Sequence, residues 1–170
     1  MRDFPADVEY SEWGEGPALL LLPGSFGMGS GWKAVTDRLA RSHRIVTTSL
    51  LGYGATAERR PLGNATMRQQ TEVIDRILDR IGEPAHVVGH SFGGGATPEM
   101  ARRGFVEKGW GSAGRMMFIM APWYSWGSGY ETLPTNVKTV VQVYADDDIN
   151  DHQIAVDDIW NKLPSGMERS

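Results

Sequence analysis

The chain has 170 residues, 41% of them hydrophobic and 22% charged, with a formal net charge of −4 and no cysteine. That length suits one domain with an ordinary buried core, and the composition excludes a disordered chain. The acidic balance without a basic stripe argues against nucleic-acid binding. No apolar run reaches the roughly 20 residues of a membrane-spanning helix, and disulfide and thiol chemistry are excluded.

The start, MRDFPADVEY, lacks the basic-then-apolar pattern of a secretion leader, so the expected setting is the cytoplasm. No repeat or linker divides the chain, and residues 1–170 read as a single domain. Short apolar runs alternate with amphipathic segments, the pattern of βαβ units around a mostly parallel sheet. Residues 8–13 read as an early strand. Residues 18–22 are a compact apolar strand that stops at Pro23-Gly24. Trp32, Val35 and Leu39 recur at helical spacing, and residues 44–50 form a strand rich in β-branched side chains. Asn64 or Thr66 caps a helix with the stripe Met67, Ile74, Ile77, Leu78 and Ile81, which ends at Gly82. Residues 85–88 are the next strand, followed by a helix over about 94–106. Strands are expected at 115–120 and 138–144, separated by an aromatic, glycine-rich loop. An acidic loop over 146–151 leads to a last helix with Val156, Ile159, Trp160 and Leu163 on one face, and nothing resembling a strand follows Asp148.

The sharpest chemical signal is Gly89-His90-Ser91-Phe92-Gly93, a G-x-S-x-G between an expected strand and an expected helix. A serine on so tight a turn projects its oxygen above the sheet, and side chains at 89 or 93 would crowd it. The Phe92 amide then lies at a helix N-terminus, where it can donate to an oxyanion. A second donor must come from a loop beside the turn. Leu22-Pro23-Gly24-Ser25-Phe26-Gly27 can supply it through Ser25 or Phe26, the plain alternative being a Gly/Pro connection. Gly52-Tyr53-Gly54-Ala55-Thr56-Ala57 matches a dinucleotide fingerprint, but Glu58-Arg59-Arg60-Pro61 breaks the helix such a site needs at once. In the acidic loop, Asp151 stands where a calcium-binding EF-hand requires glycine, and no His/Cys cluster suggests zinc.

The stretches EYSEWGEGPALLLLPGSFGMGSGW, RIVTTSLLGYGAT and HVVGHSFGGG resemble the N-terminal half of the α/β-hydrolase superfamily, over residues 8 to about 105. The resemblance implies a three-layer α/β fold, truncated at the C-terminus, whose mostly parallel sheet carries helices on both faces. It implies a serine esterase or lipase-like enzyme with Ser91 as nucleophile and the Ser25 and Phe92 amides as oxyanion hole. The substrate is a small-molecule acyl ester, and no cofactor or metal is called for. The strand before Ala145-Asp146-Asp147-Asp148 resembles the one that presents the family's acid, which makes Asp148 the acid and Asp146 its reserve. The family's histidine normally follows one further strand. Of the four histidines, His152 alone lies near Asp148 and becomes the base; its plain alternative is a surface side chain near a helix start. Phe26, His90, Trp123, Tyr124 and Trp126 are the candidate substrate-binding residues. The departures from the family pattern keep a second reading open, a hydrolase-fold binding module that lacks its base. An exposed sheet edge would further allow self-association.

Overall fold

Ala18–Leu22 is buried at every residue, the condition of a strand covered on both faces. It is β2 of a single sheet. The computed structural model describes residues 4–25, 27–63 and 66–91 and the strand segments at 116–119, 139–143 and 168–169. Within these residues the strands are β1 (Ser11–Trp13), β2, β3 (Arg44–Thr47), β4 (Ala85–His90), β5 (Met116–Ile119), β6 (Thr139–Val143) and β7 (Glu168–Arg169). They are ordered β1-β3-β2-β4-β5-β6-β7. β1 runs antiparallel to β3, and every other pair is parallel.

The early strand is shorter than residues 8–13. The Glu9 amide donates to Thr56 Oγ1 and the Glu9 carbonyl accepts from Thr48 Oγ1, so side chains hold groups that a ladder would otherwise pair. β3 ends at Thr47 for the same reason, because Thr48 and Ser49 turn toward Glu9. The expectation of no strand after Asp148 is corrected: β7 pairs with β6 through Thr139↔Glu168 and Val140↔Arg169. Two charged residues on a sheet edge carry no apolar alternation, so periodicity gave no sign of them.

Two helices are described. A 3-10 turn at Gly29–Trp32 leads into α1 (Lys33–Leu39), and α2 spans Met67–Ile81. Thr66 caps α2: its hydroxyl accepts from the Gln69 amide while Gln69 Oε1 accepts from the Thr66 amide. Gly82, at φ +73°, closes the helix in the left-handed region. Alternation along the strands sorts the core into two layers. Leu19, Leu21, Ile45 and Val88 pack with Trp32, Val35 and Leu39 of the α1 side. Leu20, Leu22, Val46 and Val87 pack with Ile74, Ile77, Leu78 and Ile81 of α2. Helices thus cover both faces, and neither described helix is long and apolar enough to cross a membrane. Residues 52–60 hold no helix, which removes the structural context for dinucleotide binding. The expected helices over 94–106 and after 152, the aromatic loop and the acidic loop lie outside the described residues.

Candidate active site

β2 connects to β3 on one side of the sheet, whereas β4 stands on β2's other side and leads on to β5. Strand order therefore reverses between β2 and β4, whose ends pair through Leu22↔Gly89. The crevice beyond the carboxyl ends of two such strands is where open α/β sheets bind ligands. β2 leads into Pro23-Gly24-Ser25, and β4 ends at His90 and leads into Ser91, the two turns that the motifs single out.

Ser91 has φ +50° and is the only non-glycine residue at positive φ among those described. A β-carbon makes that conformation costly by about 1–3 kcal/mol, so the surroundings must hold it in place. Gly24 is part of those surroundings. A β-carbon added there would stand 2.9 Å from the Ser91 Cβ and 2.9 Å from His90 Nδ1, closer than such atoms approach. The loop after β2 thus lies directly against the serine and admits no side chain at residue 24. Ser25 is exposed on the turn that follows, which the Gly27 amide closes on the Gly24 carbonyl at 2.9 Å.

His90 is half-buried, with its ring edge-on to the Trp32 indole at 6.5 Å between centroids and 89° between planes. In the sequence, Trp32 reads only as a residue of a helix stripe. The structure puts it at the end of the 3-10 turn, where it joins the α1-side core and braces the histidine beside the nucleophile candidate. An aromatic residue just beyond the glycine-rich loop was the available signal. Of the other described histidines, His43 Nδ1 lies 2.9 Å from Ser42 Oγ in the α1–β3 turn, and His86 pairs with Leu19 inside the sheet. The structure therefore brings together Ser91, His90 and Gly24, with Ser25 exposed at the next position in the chain. Phe26, Phe92, Trp123, Tyr124, Trp126, Asp146, Asp148 and His152 lie outside the described residues.

The chain is similar to several known proteins. It is 35% identical over 96 residues to the dihydrolipoyllysine-residue acetyltransferase component of the acetoin cleaving system of Cupriavidus necator, covering 55% of this chain and 25% of that protein. It is 33% identical over 95 residues to the pimeloyl-[acyl-carrier protein] methyl ester esterase of Vibrio vulnificus, covering 56% of this chain and 35% of that one. Among solved structures, epoxide hydrolase VrEH1 from Vigna radiata superposes with a TM-score of 0.57 at 21% identity, over 69% of this chain and 41% of the enzyme. This chain thus spans well under half the length of each of these proteins, and the last similarity speaks for the fold alone. Residues 19–167 match the alpha/beta hydrolase family, and with the sheet order and the strained serine turn that match makes the chain a member of it.

Proposed function

We propose that this protein is a serine hydrolase that cleaves carboxylic esters or related acyl bonds through an acyl-enzyme on Ser91. The observation that carries the reading is the positive φ of Ser91 at the end of β4, with Gly24 packed against it. Strain at one serine, placed at the reversal of strand order, is what a nucleophile lifted clear of a sheet requires. Two of the similar proteins are named as an esterase and an acetyltransferase, both of which handle acyl groups, and this supports the same chemistry.

In this mechanism Ser91 Oγ bonds to the acyl carbon while its proton passes to the His152 imidazole, which Asp148 orients. The carbonyl oxygen becomes an oxyanion that accepts from the Ser25 and Phe92 amides. The C–O bond to the alcohol breaks, the alcohol leaves with the proton from His152, and water then releases the acid by the reverse sequence. Phe26, His90, Trp123, Tyr124 and Trp126 are the side chains we assign to the acyl group, and their largely aromatic character favours small to medium apolar acyl groups.

The test is turnover of p-nitrophenyl esters of graded acyl length. Ser91→Ala is expected to lower kcat by at least about 10³-fold, as loss of an activated nucleophile does. His152→Ala is expected to cost a comparable factor. Full turnover in Ser91→Ala overturns the proposal, and full turnover in His152→Ala reassigns the base. No turnover by the intact chain on any ester favours the binding-module reading.

A further inference from the structure

An open cleft of about 350 Å³ lies away from Ser91, between the edge strand β1 and the segment that enters α1. Glu9, Trp13, Gly29, Lys33, Asp37 and Thr47 contribute to its lining, and neither Ser91, His90 nor Gly24 does. Its volume falls in the range of small-ligand sites.

Three features of the lining are unspent by the fold. Glu9 is fixed through Oε2, which accepts from Ser49 Oγ at 2.8 Å and from the Ala55 amide at 2.9 Å, while Oε1 accepts no hydrogen bond from the described residues. Thr47 is 1% exposed, and its hydroxyl has no hydrogen-bond partner among them. The Gly29 backbone packs closely on both oxygens: an added β-carbon would stand 2.5 Å from Glu9 Oε1 and 3.0 Å from Thr47 Oγ1. The Trp13 indole beside them is 42% exposed. Lys33 spends its charge on Asp37, which its Nζ meets at 2.8 and 2.9 Å, so Glu9 leaves the lining with one net negative charge.

These features select a class of occupant. An anion is repelled by Glu9, and an apolar molecule leaves a carboxylate oxygen and a buried hydroxyl unmatched. A primary ammonium group brings three donors and no acceptor, and an indole face attracts it. We propose that this cleft binds the ammonium head of a small aliphatic amine, with N–H groups donated to Glu9 Oε1 and Thr47 Oγ1 and the alkyl stem against Trp13. Thr47 Oγ1 is covered, with Gly29 packed on it, so the Gly29 turn shifts to admit the donor.

Isothermal titration with n-butylammonium chloride tests this, against n-butanol and against sodium chloride at the same ionic strength. The expected result is saturable heat with the amine alone. Glu9→Gln, which keeps an acceptor for Ser49 and Ala55 and removes the charge, is expected to weaken binding at least about tenfold, the usual scale for losing a charged hydrogen bond. Thr47→Val keeps the side-chain shape, folds without an orphaned hydroxyl, and is expected to weaken binding as well. No saturable heat with the intact chain, equal heat with n-butanol, or unchanged affinity in Thr47→Val overturns the proposal.

Discussion

Ser91 keeps a conformation that its own β-carbon opposes, and the glycine packed on it explains how the strain is held. With no side chain at Gly24, the loop leaving β2 closes onto the Ser91 and His90 side chains and blocks relaxation of the turn. Gly24→Ala is therefore expected to displace Ser91 or the loop by a fraction of an ångström or more. Misplacement on that scale can cost about 10²-fold in rate, so a drop of that order in kcat with little change in Tm is the expected outcome in paired kinetic and thermal-melt measurements. The serine and the bend were legible in the sequence because G-x-S-x-G is a local pattern. The contact between Gly24 and Ser91 was not, since it joins residues far apart in the chain through the pairing of β2 with β4. Glu9 carried no signal for a related reason: its partners Ser49, Ala55 and Thr56 lie 40, 46 and 47 positions away as a folded loop.

The elements that frame the site follow from ordinary local rules. α2 begins at Thr66 with a reciprocal cap and ends at a left-handed Gly82, both readable from residue type and spacing. Thr66→Ala is expected to cost about 0.5–2 kcal/mol in chemical denaturation, the usual range for losing a side-chain cap. α2 also steadies the loop after β3, because the Leu51 amide donates to Gln70 Oε1 at 2.9 Å within the buried layer. Strands with continuous apolar runs, such as β2, announced themselves. β1 was legible as part of the early strand expected at 8–13, whereas β7 was not, because it consists only of Glu168 and Arg169 and carries no apolar alternation. Element type was readable wherever a buried face imposed a period, and element ends were not, because side chains such as those of Thr48 and Thr56 take over the hydrogen bonding there.

Across the molecule, the N-terminal segment binds the sheet edge to α2. The Arg80 guanidinium lies 4.5 Å from the Phe4 ring centre and 4.0 Å from that of Tyr10, while Arg44 pairs with Glu12 at 2.8 Å and with Glu83 at 2.9 Å. Burial, then the hydrogen bond and charge of Glu12, push the Tyr10 phenol up to about 12. The sign follows directly. Between the unfolded value near 10 and the folded value, the native state holds a proton that the unfolded chain has lost, so stability is intact below about pH 10 and declines from there to about pH 12. Denaturation curves across that window are expected to show a steeper loss for the intact protein than for Tyr10→Phe; parallel curves contradict the assignment.

At the same scale stands the identity of the nucleophile, on which the functional account rests. The most direct measurement is the intact mass of the protein after treatment with a fluorophosphonate, followed by peptide mapping. The expected result is a single adduct, mapped to Ser91 and absent from Ser91→Ala. Failure of the intact chain to react, or an adduct that persists in Ser91→Ala, would contradict it.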